Sequence, residues 1–307
     1  MKLGLLALAV VVAAPGSGTW RKEPLLRFSR SAHAVVSTGS AIYALGGSGP
    51  RGAVMDVERF DGRRWTVETR LPVGLNAPAA VVLGGKLYVI GGFDGTSNVP
   101  TDRVDVYDLA ARSWSRAASL PAARGGHAAV VLDGKIHVLG GGNEVTTLAD
   151  HSVYDPAANR WSRAAPLRRS KGSPAAVVFG GRIYAIGGRS GNLDYGDVDV
   201  YDAGADRWTP GPSLPPRGTH GAVVYRGSIF VFGGESQASG RTLKTVLRLR
   251  PGATRWQPAK SMPTARNYAR AVLFRDAVWV VGGSRTVGAS HNAAGSRVVE
   301  RFFVRRG

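Results

Sequence analysis

The sequence predicts an all-β fold of six like units joined into a ring, and three observations carry that prediction. Glycine (42) and proline (17) are plentiful among 307 residues. No long stretch repeats its apolar residues every 3.6 positions, so short strands and turns are expected rather than helices. A Gly-Gly doublet closes an apolar run six times, at Gly46-Gly47, Gly91-Gly92, Gly140-Gly141, Gly187-Gly188, Gly233-Gly234 and Gly282-Gly283. Tryptophan keeps a second register, at Trp20, Trp65, Trp114, Trp161, Trp208 and Trp256. The doublets are spaced 45, 49, 47, 46 and 49 residues apart and the tryptophans 45, 49, 47, 47 and 48. Two residue types holding one period mark a repeat architecture in which each unit buries its faces against its neighbours.

Each unit reads as four strands. In the second, Ala79 to Leu83 is a strand of small residues, suited to the crowded centre of a ring. A Gly84-Gly85 turn leads to Lys86 to Ile90, Val104 to Tyr107 follows a loop, and Trp114 begins the outermost strand. Three residues before each doublet stands a large ring: Tyr43, Tyr88, His137, Tyr184, Phe230 and Trp279. The doublets permit positive φ and a close approach of backbone, and the tryptophans supply wedges between sheets. The last unit offers Ala269 to Phe274, Val278 to Val281 and Arg297 to Val304 without a tryptophan strand of its own. That strand stands at the other end, as Thr19-Trp20-Arg21. Pairing it beside Val298 to Val304 closes a six-bladed β-propeller and removes both free edges.

Before the first blade, Met1 to Gly18 has Lys2, an apolar run from Leu3 to Ala14, and then Pro15, Gly16, Ser17 and Gly18. A positive start, twelve apolar residues and small residues at Ala14-x-Gly16 and Gly16-x-Gly18 read as a secretory signal. A mature chain beginning between Ser17 and Thr19 is expected, in the periplasm or outside the cell. The run falls short of the roughly 20 residues that a membrane-spanning helix needs. With no cysteine, disulfides, thiol catalysis and cysteine metal sites are excluded. Lysine and arginine (40) outnumber aspartate and glutamate (21) for a formal charge of +19, which favours acidic partners. The basic residues are scattered rather than run together, so nucleic acid is not expected as the partner.

The pattern Val-x-Val-Tyr-Asp, five residues and Trp, seen from Val104 to Trp114 and, from its second Val, in Val153 to Trp161, together with Gly-Lys-Ile/Leu and the doublet, resembles the Kelch repeat. The resemblance runs from about Trp20 to Val304. Three departures stand out: a shortened Asp61 to Trp65 in the first unit, Leu249-Arg250 in place of Tyr-Asp in the fifth, and a Gly-rich loop from Thr286 to Ser296 in the sixth.

Sixteen residues before each doublet stand Arg30, Leu75, Arg124, Lys171, Arg217 and Arg266, five of them basic. The resemblance implies that some of these line a pocket for acidic peptides, where guanidinium groups make charge-assisted bonds to carboxylates; the alternative is a brace between blades. The loop after each doublet varies and opens on the same face, beginning Ser48, Phe93, Gly142, Arg189, Glu235 and Ser284, and Arg189 joins the candidate ligand contacts. Glu235 followed by Arg241 is similar to a Glu and Arg pair in Kelch propellers that mutarotate N-acetylneuraminate. There the carboxylate would move the anomeric proton and the guanidinium would hold the sugar acid. A salt bridge or a solvated loop is the competing reading. His33, His127 and His220 share one aligned position in alternate blades, too far apart around a ring for a shared metal, and His151 and His291 lack partners in sequence. No metal site and no cofactor is expected. The expected function is a binding module with a basic pocket for an acidic peptide, sugar acid or envelope polyanion, and the alternative is a sugar-acid mutarotase or epimerase.

Overall fold

The computed structural model describes residues 18–143, 145–287 and 295–304; the stretch expected to be a secretory signal, save Gly18, and His291 lie outside them. Six four-stranded antiparallel sheets form among the described residues, and no helix among them is long and apolar enough to cross a membrane. Blade 1 is Ala34–Ser37, Ile42–Leu45, Asp56–Phe60 and Trp65–Arg70; blade 2 is Ala79–Leu83, Lys86–Ile90, Val104–Asp108 and Ser113–Arg116. Blade 3 is Ala128–Leu132, Lys135–Leu139, His151–Asp155 and Arg160–Ala164; blade 4 is Ala175–Phe179, Arg182–Ile186, Val198–Asp202 and Arg207–Gly211. Blade 5 is Gly221–Tyr225, Ser228–Phe232, Val246–Leu249 and Gln257–Ala259. Blade 6 takes Arg270–Phe274, Ala277–Val281 and Val299–Phe303 from one end of the chain and Thr19–Lys22 from the other. The closing strand pairs antiparallel with Trp20 opposite Phe302, so the ring closes as its sequence implies.

The core is divided into six wedges, one between each pair of adjacent blades. Each repeat tryptophan stands in or beside one wedge, and its indole N–H donates to the preceding blade. Trp161 donates to Ala118 O (2.8 Å), Trp208 to Ala165 O (2.8 Å), Trp256 to Pro212 O (2.7 Å) and Trp114 to Thr69 Oγ1 (3.1 Å). Trp65 reaches Pro24 O (3.0 Å) and Trp20 reaches Lys260 O (2.9 Å), which carries the same bond across the closure. The aspartate ending Val-x-Val-Tyr-Asp caps the following turn: Asp108, Asp155 and Asp202 each accept two backbone N–H bonds.

The doublets hold the blades together through backbone. The second glycine N–H donates to the carbonyl of the residue sixteen before the next doublet, as in Gly92 to Arg124 O at 2.8 Å and Gly234 to Arg266 O at 3.0 Å. A Cβ on Gly91, whose φ is +53°, would stand 2.6 Å from Arg124 O, so only glycine allows this approach.

Candidate functional site

The five basic residues of the aligned position are buried and face their own blades. Arg30 donates to Gly46 O (3.1 Å) and pairs with Glu58 at 2.7 Å, both side chains fully covered. Arg266 donates to Gly282 O (2.6 Å) and pairs with Glu300 at 2.7 Å. Arg124 bonds Gly140 O (3.2 Å) and Asp150 (3.4 Å), and Lys171 bonds Asp197 (2.8 Å) and Asp199 (3.0 Å). Arg217 bonds Gly233 O and Thr245 Oγ1, each at 3.2 Å, with no carboxylate partner among the described residues, and burial lowers its pKa to about 10. Each side chain braces the third strand of its blade, and in four blades the first doublet carbonyl as well, while its backbone ties the preceding blade. Of the two readings the sequence offered for Arg30, Arg124, Lys171, Arg217 and Arg266, ligand contact or a brace between blades, these bonds are of the bracing kind, and the donors are turned inward and covered.

What does reach the mouth is the residue after each doublet. It bridges the residue fifteen before that doublet: Ser48 with Ser31, Phe93 with Asn76, Gly142 with Gly125, Arg189 with Gly172, Glu235 with Gly218 and Ser284 with Asn267. One residue further on, Ala32, Ala77, Gly126, Ser173, Thr219 and Tyr268 form an inner ring, all with positive φ, linked blade to blade by backbone bonds from Ala77 N to Ala32 O round to Tyr268 N to Thr219 O. Five of these side chains are small. Tyr268, at φ +49°, is the exception, a bulky residue in a region that L-residues seldom adopt. Its ring packs with Ala32, Ala77 and Phe93 and so covers the mouth of the axial channel.

Arg189 joins this cover to its neighbours. Its Nη2 donates to the Tyr268 hydroxyl at 2.8 Å and its Nη1 to Glu235 Oε1 at 2.5 Å, while Asn267 Nδ2 donates to Glu235 Oε2 at 2.7 Å. Burial raises the Tyr268 pKa, so the phenol stays protonated. Asp194, opposite Arg189 in a two-stranded ribbon, accepts from Gln237 N at 2.6 Å through one oxygen. Its other oxygen is buried without a partner among the described residues, and burial, then Glu235, raises its pKa. A hollow of about 320 Å³ opens beside Arg189 over Gly125, Gly126, Gly142 and Gly172, with Ser173 and Thr147 in its wall.

Glu235 and Arg241 are not brought together. In the ribbon of Glu235–Ser236 and Arg241–Thr242, Arg241 lies opposite Ser236, and alternation of side chains turns it to the other face, where it is exposed. Glu235 is fully buried and takes its partner from blade 4 instead. Each of the three aligned histidines sits against the first doublet glycine of the preceding blade, His33 at Gly282, His127 at Gly91 and His220 at Gly187. Burial lowers the pKa of His127 and His220 to about 3, so both are neutral. His151 has the partner its sequence position concealed: its Nε2 lies 2.8 Å from His137 Nδ1. Tyr268, Asn267 and Asp194 escaped the sequence reading. The signal for Tyr268 was present, as the one large residue at a position otherwise Ala, Gly, Ser or Thr.

Residues 18–175 match the KLHDC2/KLHL20/DRC7 Kelch-repeats domain, and 171–215 and 216–263 match the Kelch motif. Kelch-like protein 35 of Mus musculus is 33% identical over 92 residues, 29% of this chain and 16% of that protein. The F-box/kelch-repeat protein At5g03020 of Arabidopsis thaliana is 43% identical over 79 residues, 24% of this chain and 22% of that protein. The match thus spans under a quarter of either relative's length. The solved structure of YjhT superposes with a TM-score of 0.78 at 17% identity, covering 90% of this chain and 95% of that one, which is a likeness of fold. With a family match over more than half of its length and six closed blades carrying the repeat's glycines and tryptophans, the chain belongs to the Kelch-repeat family.

Proposed function

We propose that this Kelch propeller is an exported binding module that takes an acidic ligand at the mouth on the doublet side, with Arg189 as its anchor. The observation that carries the reading is the exposure of Arg189. Its side chain is 18% accessible, against 0–1% for Arg30, Arg124, Lys171 and Arg266. Two of its donors are held by Glu235 and Tyr268, which fix the guanidinium plane and leave three of five N–H groups for a ligand. The glycine floor of the hollow lets a carboxylate-bearing peptide or sugar acid approach backbone closely. Exposed Arg51, Arg241 and Arg285 on the loops after the doublets add to the +19 charge that draws anions, envelope polyanions included, to this face.

Calorimetric titration with N-acetylneuraminate and with acidic peptides, at low and at high salt, tests the reading. Binding that weakens with salt and falls at least tenfold in Arg189→Ala is expected; no binding to any of them, or equal binding by Arg189→Ala, would overturn it. The mutarotase alternative has less support, because Glu235 is covered and Arg241 faces away from it. Anomer exchange of the sugar followed by NMR, lost in Glu235→Gln, would restore that alternative. Export is checked separately by sequencing the secreted protein, whose first residue is expected between Ser17 and Thr19.

A further inference from the structure

Beneath Tyr268, the propeller axis carries a charge that the ring does not need. The first residue of each innermost strand stands twelve before its doublet and is Ala34, Ala79, Ala128, Ala175 and Gly221 in blades 1 to 5. In blade 6 it is Arg270. Its Nε donates to His33 O at 3.0 Å, and the guanidinium borders an axial cavity of about 120 Å³. The remaining wall is alanine, valine, proline and glycine with His127 and His220. Among the described residues no carboxylate pairs with Arg270. Every other arginine or lysine brought into the blade interior at the bracing position, Arg217 excepted, has an acidic partner.

A guanidinium without a counter-ion in a largely apolar channel carries a desolvation cost, and five blades close without it. The geometry points to a small-anion site on the axis, in which the free Nη groups of Arg270 bind chloride or a one-carbon anion such as formate or bicarbonate. The size fits that class: about 120 Å³ holds one such ion with a few waters, given about 10–15 Å³ for each water, and has no room for a sugar acid or peptide. Tyr268 closes the doublet side, so the ion enters from the opposite end, past Val224 and the half-exposed Leu273. This site is separate from the Arg189 mouth and stands or falls independently of it.

Crystals soaked in sodium bromide give the direct test. An anomalous peak on the axis within hydrogen-bond distance of Arg270 is expected, and water alone at that place would overturn the proposal. In solution, the ³⁵Cl NMR line broadening caused by the protein at fixed ionic strength should show a saturable component. Formate and bicarbonate compete it away if they share the site. Arg270→Ala installs what four other blades already carry, so it should fold, and it is expected to lose at least tenfold in chloride affinity. The surface control Arg255→Ala should keep it; wild-type broadening in Arg270→Ala would sink the proposal.

Discussion

Single residues explain why the aligned basic position recurs. Blade 2 has Leu75 there, and its third-strand carboxylate, Asp105, turns to Arg103 at 2.6 Å instead. The pairing is thus conserved in kind while its partner changes. Removing one member of a buried pair leaves the other charged and uncompensated, so Arg266→Ala is expected to cost about 3–5 kcal/mol in denaturant unfolding. The double change Arg266→Met with Glu300→Leu should cost much less, and equal losses in the two would contradict the bracing role. The buried histidines set the pH response. His127 and His220 titrate near 6.5 when unfolded but near 3 when folded, because burial disfavours their cations. The unfolded chain therefore takes up protons first as pH falls. Their stability is fully present above about pH 6.5 and is lost from there down to about pH 3, at about 2 kcal/mol for each by pH 5. Guanidinium melts at pH 7.5, 6 and 5 should show that decline; a flat profile would mean that these rings are protonated in the fold.

At the scale of the element, strands and turns were legible from glycine, tryptophan and aspartate spacing because those residues act locally, on φ, wedge and turn. The partners of the same residues were not legible, since they lie a blade away. Asn159 shows both sides of this. It holds the turn before Trp161 at φ +46°, and its Oδ1 accepts from Ala118 N in blade 2 (2.9 Å) and from the Tyr154 hydroxyl (2.8 Å). Asp206 does the same in blade 4, through Ala165 N and Tyr201. Asn159→Ala loses both bonds and meets the left-handed penalty, and is expected to destabilise by about 1–2 kcal/mol. Asn159→Gly, free of that penalty, should fall between it and the wild type in thermal unfolding. The candidate site divides in the same way. Spacing from the doublet correctly grouped the loop residues Arg189 and Glu235 on one face. The direction of the basic side chains sixteen before the doublet is set by acceptors on or just before the third strand, a carboxylate in four blades and Thr245 in the fifth, which spacing does not reveal.

For the whole molecule, closure decides whether six wedges behave as one unit. The strand Thr19–Lys22 contributes four residues, yet Trp20 packs its ring 5.0 Å from Phe302 and 5.9 Å from Phe232 and bonds Lys260 O in blade 5. Without it, Val299–Phe303 becomes an unpaired edge, and the wedge between blades 5 and 6 loses its outer wall. In a repeat architecture stability is the sum of such interfaces, so one lost wall weakens both neighbours, and the bare edge offers a template for another chain. Deleting Thr19 to Lys22 is therefore expected to lower the thermal midpoint and to produce concentration-dependent self-association in light scattering. A peptide of residues 18–24 added in trans should reverse both effects, because strand addition to an open edge restores the missing ladder and the tryptophan together. The same peptide with Trp20→Ala should pair poorly and rescue little. Unchanged unfolding of the truncated chain would show that the ring does not depend on this strand, and rescue by the alanine peptide would assign the closure to backbone pairing rather than to the indole.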